Sequence, residues 1–309
     1  MNIAIIGANG FIGKHLVNEL SENEGNKLFL FGTSETSQFS ENYNYSKINL
    51  NNSKELLETF KNIDLVFYLA SASIPASSWE NPKSEIENNL IPFINFLECL
   101  VQLKVKKIIF TSSAGTIYGS STEELNEDSN KKPFSPHGIN KVTMEYYLNY
   151  FEVKFGLKHD VFRISNIYGE GQNTSKGLGI INTFLEKIIS EKEITVFGNG
   201  EIIRNYIYVK DVAKALSYSC YLNINESTIY NLSSDDSFSI NEIIDNIRII
   251  TKENFKINYK ETRGSDNPKI LLDNTKIKKA FKELNFTPIS EGIQNTYLNL
   301  KNEVEVKIE

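Results

Sequence analysis

Met1-Asn2-Ile3-Ala4-Ile5-Ile6-Gly7-Ala8-Asn9-Gly10-Phe11-Ile12-Gly13 opens the chain, and its reading decides the fold. The apolar run to Ile6 has the composition of a buried strand, and Leu16, Val17 and Leu20 recur behind it at helical spacing. Between strand and helix stand Gly7, Gly10 and Gly13, where a sharp turn needs residues without a Cβ. A pyrophosphate can approach such a backbone and meet the helix N-terminus, so Gly7, Gly10, Phe11, Ile12 and Gly13 are candidate binding positions. A tight strand-to-helix turn with no ligand would use the same glycines.

Working outward, strands and helices alternate. Segments 27–31, 64–70, 105–110 and 160–164 read as strands and 87–101 as a helix, a rhythm that predicts an α/β fold. The expected form is a Rossmann-type doubly wound parallel sheet with a smaller C-terminal substrate-binding lobe. Topology places the boundary near residue 165. Residues 1–165 would form the dinucleotide lobe, with returning segments near 205–232, and 166–309 would be mainly the substrate lobe. Ligands gather beyond the carboxyl ends of such strands. That position holds Asn49 and Leu50 after a strand expected to end at 48–50, Leu69 and Ala70, and the hydroxyl-rich stretches 71–75 and 111–116. Asn49 can meet an adenine edge, and the serines and threonines can equally cap helices. The second strand ends in Phe31-Gly32-Thr33, with neither an acidic residue for a ribose hydroxyl nor an adjacent base for a 2′-phosphate.

Composition excludes several function classes. The 309 residues are 40% hydrophobic and 23% charged, which fits a large folded core and not disorder. Thirty-three basic against 39 acidic side chains give a net charge of -6, so no nucleic acid or anionic membrane partner is expected. The start lacks a basic n-region and reads as a core strand, and no run of about 18 apolar residues occurs. The expected location is cytoplasmic. Cys99 and Cys220 with three scattered histidines form no metal constellation, so the metal expectation is none.

A second stretch, Ser135-Pro136-His137-Gly138-Ile139-Asn140-Lys141, carries chemistry. Ser135 suits an N-cap and Pro136 the first helical position, which sets His137 and Lys141 at i and i+4 on one helix face. Together they can serve a substrate hydroxyl and a bound cofactor. Counted singly, they are equally a satisfied histidine beside a solvated lysine. Arg204 and Arg263 stand beside turns and together could clamp a diphosphate.

These stretches, taken with Tyr68-Leu69-Ala70, Ser112-Ser113-Ala114-Gly115-Thr116-Ile117-Tyr118-Gly119, Arg163-Ile164-Ser165-Asn166-Ile167-Tyr168-Gly169, Arg204-Asn205-Tyr206-Ile207-Tyr208-Val209 and Leu272-Asp273, resemble one family in order and along nearly the whole chain. The chain is similar to the extended short-chain dehydrogenases/reductases of the NAD-dependent epimerase/dehydratase family, and especially to bacterial UDP-glucose 4-epimerase-like enzymes of surface-polysaccharide synthesis. The resemblance implies NAD as cofactor, NADP being less favoured, and a UDP- or GDP-linked hexose or related sugar as substrate. It implies that Lys141 grips the nicotinamide ribose. Asn166, Arg204 and Arg263 would contact the substrate diphosphate or nucleotide, with Asp266 near the base or ribose. It also implies a homodimer built on helices 87–101 and 136–151, to which Phe93, Leu97, Tyr147 and Phe151 could contribute if they do not pack on the sheet.

Two positions depart from the family pattern. His137 stands where the family has its acid–base tyrosine, and Ala114 where it has a serine or threonine. Ser113 or Thr116 would then supply the hydroxyl. The expected reaction is 4-epimerisation of a nucleotide sugar through a 4-keto intermediate, with His137, Lys141, Ser113 and Thr116 as the catalytic set. The alternatives are a nucleotide-sugar 4-dehydrogenase or ketoreductase, and a catalytically impaired sugar-nucleotide-binding protein.

Overall fold

The computed structural model describes residues 1–40, 43–73, 75–119, 121, 123–174, 179–262 and 269–308, the side chains of 76 and 306–308 excepted. The strands begin with β1 (Asn2–Ile6), β2 (Lys27–Gly32), β3 (Asn44–Lys47), β4 (Leu65–Tyr68), β5 (Lys107–Ser113), β6 (Lys158–Ile164) and β7 (Asn166–Tyr168). They continue with β8 (Ile194–Phe197), β9 (Ile203–Tyr208), β10 (Thr228–Leu232), β11 (Ser237–Ser239), β12 (Ile257–Lys260) and β13 (Lys269–Ile270). The third strand precedes the expected 48–50.

Two compact units divide the chain. The first comprises Met1–Gly119, Ser129–Ile164 and Ala213–Asn231; the second comprises Ser120–Asp128, Ser165–Val212 and Leu232–Glu309. The segment that returns to the first unit is therefore Ala213–Asn231, and residues 205–212 belong to the second.

In the first unit the described residues form a seven-stranded sheet in the order β10-β6-β5-β4-β1-β2-β3. β1 pairs in parallel with β2 on one side and β4 on the other, and Ile6 stands level with both Phe31 and Tyr68. This registration brings Gly7, Gly32 and Leu69 to one end of the sheet. The chain also reverses its direction of winding between β1 and β4, the position where open parallel sheets bind ligands. Ile3, Ala4 and Ile5 are fully buried, as are Leu65, Val66 and Phe67. Strands covered on both faces have this unbroken apolar character. Stacked and edge-on aromatic pairs, Phe31 with Phe60 at 4.7 Å and Tyr68 with Phe93 at 4.8 Å, fill the core on one side. Phe93, Leu97 and Phe151 lie in this core with Tyr147 packed against it, so these residues pack on the sheet.

The helix Pro136–Phe155 begins as its sequence dictates. Ser135 caps it, its hydroxyl accepting from Gly138 N at 3.1 Å, and Pro136 occupies the first turn. Its Glu145 binds the fully buried Arg163 of β6 through two hydrogen bonds, Nη2 to Oε2 at 2.8 Å and Nε to Oε1 at 3.2 Å. Ser112 of β5 donates to the same carboxylate at 2.7 Å, and Arg163 donates to Tyr118 at 2.7 Å. A paired, hydrogen-bonded buried ion fixes orientation because its alternatives leave an uncompensated charge. The helix that carries His137 and Lys141 is thereby locked to two strands.

In the second unit β9 pairs with β7 and β13 in parallel and with β11 antiparallel, while β8 and β12 form a separate parallel pair. Asp211 ties its helix to a later segment of the second unit. It lies inside Val209–Tyr218, and its carboxylate accepts from Thr287 N at 2.7 Å and Thr287 Oγ1 at 2.8 Å. Among the described residues no helix is long and apolar enough to cross a membrane.

Candidate active site

The glycine turn is built by close backbone approach. Gly7 has φ +91°, and a Cβ there would lie 3.1 Å from Ala70 N. A Cβ on Gly13 would fall 2.3 Å from Gly7 O and 2.5 Å from Ala8 O. Leu69 and Ala70 thus border the turn, which leads into the helix Phe11–Ser21. That helix starts at Gly10 with no side-chain cap, so its first N–H groups remain available to an anion. Backbone this near and donors this free fit the pyrophosphate of a dinucleotide. Phe11 and Ile12 occupy the first helical turn.

At the end of β2 the structure shows contacts that the sequence does not. Tyr45 of β3 brings its hydroxyl to Gly32, where a Cβ would meet it at 2.7 Å, and donates to Ser34 O at 2.9 Å. Asn9 links the glycine turn to the segment after β2, donating to Thr36 O at 3.1 Å and accepting from Gln38 N at 3.3 Å. Asn49 uses its side-chain oxygen to close its own turn, accepting from Asn51 N at 3.0 Å. Leu50 packs against the core.

Beyond β4 and β5 a polar cluster surrounds His137. The imidazole is buried, with Nδ1 3.4 Å from Ser73 Oγ and 3.9 Å from Glu85 Oε2. Asn89 donates to Ser73 Oγ and to Glu85 Oε2, each at 3.2 Å, and Asn140 donates to Glu85 Oε2 at 3.4 Å. Lys141 donates to Thr111 O at 3.0 Å and lies 4.7 Å from the centre of the Phe110 ring. Burial lowers the Lys141 pKa to about 8, although Glu85 and Glu145 oppose the shift. Burial, with the Lys141 cation second, pushes His137 down to about 3, so the ring is neutral at pH 7.

The sign of the resulting pH effect is fixed. As pH falls through about 6.5 the unfolded chain takes up a proton that folded His137 refuses, so stability is lost progressively toward pH 3. At pH 5 this share amounts to ~2 kcal/mol. His137→Gln should therefore lose less stability than the wild type between pH 7 and pH 5 in scanning calorimetry. The same loss in both proteins would contradict a neutral buried ring. His159, also buried and lowered, acts in the same direction in both.

The turn after β5 sits directly beneath this helix. A Cβ on Gly138 would fall 2.3 Å from Thr116 O, so only glycine permits the approach. Thr116 donates its hydroxyl to Ser113 O at 3.3 Å, while Ser113 is half-buried. The structure thus gathers His137, Lys141, Ser113 and Thr116 within the first unit, on β5, the turn after it and the helix it supports. It adds Ser73, Glu85, Asn89 and Asn140; the sequence places Ser73 and Asn140 in stretches at the site but gives Asn140, Asn89 and Glu85 no role of their own. Glu85 stands just before, and Asn89 within, a π-helical turn, Ile86–Leu90, that precedes Pro92, whose missing N–H disturbs regular helix bonding.

In the second unit Asn166 stands opposite Tyr206, and Arg204 lies two residues back on the same side of β9. Asn166 donates to Asn205 O at 3.0 Å and Arg204 to Ile203 O at 2.8 Å. Arg263 and Asp266 lie outside the described residues. Among those described, no three His, Cys, Asp or Glu side chains form a group that could hold a metal ion.

With this geometry established, comparison with known proteins gives a consistent result. The profile of the NAD dependent epimerase/dehydratase family matches residues 3–233. A dTDP-4-dehydro-6-deoxyglucose reductase of Escherichia coli is 32% identical, covering 97% of each chain. A UDP-glucose 4-epimerase of Lactobacillus helveticus is 26% identical over 89% of each. Among solved structures, the UDP-glucose 4-epimerase of Thermotoga maritima with UDP-glucose superimposes with a TM-score of 0.90 at 29% identity, covering 98% of this chain and 100% of that one.

Proposed function

We propose, from the premise that this chain belongs to the NAD dependent epimerase/dehydratase family, that it is an enzyme acting at C4 of a nucleotide-linked hexose through a 4-keto intermediate, with epimerisation as the net reaction. The observation that carries the reading is a neutral, buried His137 one helical turn from a buried Lys141, beyond the strand ends that also present the glycine turn. NAD would be held by Gly7, Gly10, Phe11, Ile12 and Gly13, bordered by Leu69 and Ala70, with Lys141 on the nicotinamide ribose. When bound, it supplies the acceptor and donor of the carbon-bound hydrogen. His137 takes the hydroxyl proton as the alcohol becomes a ketone and returns it afterwards. Ser113 is favoured over Thr116 to hold the sugar oxygen, since the Thr116 hydroxyl already donates to Ser113 O.

In the second unit Asn166 and Arg204, with Arg263 and Asp266, are the residues for the nucleotide and its diphosphate. UDP is favoured over GDP by the UDP-glucose bound in the Thermotoga maritima enzyme. A second reading, ketoreduction with release of a reduced sugar, is favoured by the 32% identity to the dTDP-4-dehydro-6-deoxyglucose reductase.

The test is product analysis by NMR after incubation with UDP-, GDP- and dTDP-sugars, with oxidised or reduced cofactor. Interconversion of C4 epimers without net cofactor consumption supports epimerisation, and stoichiometric NADH oxidation supports reduction. Failure to turn over any nucleotide sugar that binds would leave a binding protein.

The enzyme would work as a homodimer. Ile139, Tyr146, Tyr150 and Val153 are exposed on the helix Pro136–Phe155 at i, i+7, i+11 and i+14, and Ile86 of the π turn and Ile91 just after it are exposed too. That spacing makes one apolar stripe suited to a second copy of the same helix. Sedimentation should find a dimer for the wild type and a monomer for Tyr150→Glu/Val153→Glu. An unaltered dimer in the double variant would place the interface elsewhere.

A further inference from the structure

Glu85 is an expensive residue where it stands. Its carboxylate is 2% exposed, Oε2 accepts from Asn89 and Asn140, and Oε1 has no hydrogen-bond partner among the described residues. Asn140 likewise leaves its side-chain oxygen unpartnered and buried. Buried acceptors left unsatisfied in a folded protein call for a functional reason, because each costs about 1–3 kcal/mol. The nearest titratable ring is His137, whose Nδ1 faces both Glu85 Oε2 at 3.9 Å and Ser73 Oγ at 3.4 Å.

The ring has two states when neutral. With its proton on Nε2, the Nδ1 lone pair would face a carboxylate oxygen at 3.9 Å, an arrangement that charge opposes and that only a hydrogen from the Ser73 hydroxyl would offset. A proton on Nδ1 faces acceptors instead, and leaves the lone pair on Nε2. Asn89 bridges Ser73 and Glu85 and so holds both acceptors in place. Lys141 and Glu145 are the other charged groups acting at this helix face, and Lys141 is tied to Thr111 O.

We propose that Glu85 is a positioning residue for His137: it holds the imidazole with its proton on Nδ1, so that Nε2 receives the substrate proton, and its carboxylate balances the imidazolium that results. This rests on the role proposed above for His137. In the forward step the substrate O–H bond breaks and its proton forms an N–H bond at Nε2. The hydrogen on the same carbon leaves with its electron pair to NAD, and the C–O bond becomes a carbonyl. No further oxidant or base is consumed, and the reverse step restores both atoms.

The experiment uses the full chain labelled with 15N-histidine, its His137 signals assigned by their loss in His137→Asn. At pH 7 the wild type should show Nδ1 protonated and Nε2 bare. Glu85→Gln, of nearly the same shape and without the charge, should move both nitrogens toward averaged values. Glu85→Gln should also lower kcat for the nucleotide sugar by roughly 10–100-fold with KM changed by less than about threefold, the division expected of a group that acts only as the barrier is crossed. Glu85→Asp, which keeps the charge, should retain more of both the ring signature and kcat.

A wild-type ring protonated on Nε2, with Ser73 donating to Nδ1, overturns the proposal whether or not any variant folds. Ring signals unchanged in Glu85→Gln overturn it as well, and so does a rise in KM with kcat preserved. If the wild type turns over no nucleotide sugar, the reaction assigned to the site fails, while the ring measurement still decides what Glu85 does to His137.

Discussion

His137→Ala is expected to lower turnover of the accepted nucleotide sugar by roughly 10²–10⁴-fold while leaving dinucleotide binding in place. The ring is the titratable group held neutral beside Lys141 and Glu85, and its removal strips the site of a proton acceptor without touching the glycine turn. Stopped-flow absorbance of NADH, with sugar products analysed in parallel, separates chemistry from binding. His137→Tyr sharpens the comparison. A phenol has one heteroatom and cannot engage Glu85 and Ser73 while also meeting a substrate, and it enters a setting already filled by buried polar groups. A loss of rate is therefore expected. A large gain would mean that the histidine impairs a site built for tyrosine. An unchanged chemical rate in His137→Ala, with sugar and cofactor shown to bind, would remove His137 from the mechanism.

Gly13→Ala should weaken nicotinamide dinucleotide binding and destabilise the fold together. The added methyl would meet main-chain oxygen at 2.3 Å and 2.5 Å, and neither Gly7 nor Ala8 has a flexible side chain that could yield. The start of the helix Phe11–Ser21 must shift off the turn. Overpacking of this kind costs about 1–3 kcal/mol, and every 1.4 kcal/mol taken from the binding-competent form reduces affinity about tenfold. Gly115→Ala is the control, since a Cβ there meets nothing within 4 Å and the backbone is not in the left-handed region. Fluorescence titration with NADH and thermal unfolding should find Gly13→Ala impaired and Gly115→Ala near wild type. Equal behaviour of the two would contradict the close-approach account.

What could be read from the chain, and what could not, divides by range. The strand, glycine turn and helix at residues 2–21 are specified by neighbours in sequence, as are the Ser135 cap and the His137–Lys141 spacing, and these stand in the structure as read. Glu85 was illegible because the polar stretch from Glu80 to Asn89 looks like solvated surface; its burial follows from the packing of the π turn against a helix some 50 residues later. Tyr45 reaches Gly32 only through the register of β3 on β2, which no local pattern announces. Lys107 is a charged residue in a strand, and nothing beside it in sequence shows that it is buried against Asp160 at 2.7 Å. The strands of the second unit were largely missed for a simpler reason. β7, β11 and β13 are two or three residues long, shorter than the alternation needed to recognise a strand.

The contact of Gly138 with Thr116 O bears on how such a site can change over time. The gap between the helix and the turn below it is set there by main chain against main chain, with no rotamer in between. The frame is therefore indifferent to which side chains it displays at 137 or 114, much as a socket keeps its bore whatever bit is inserted. The side chain at 137 can change while the spacing of its helix to the turn below stays constant. The position least free to vary is then the glycine, which touches no reacting atom and has no side chain with which to do chemistry.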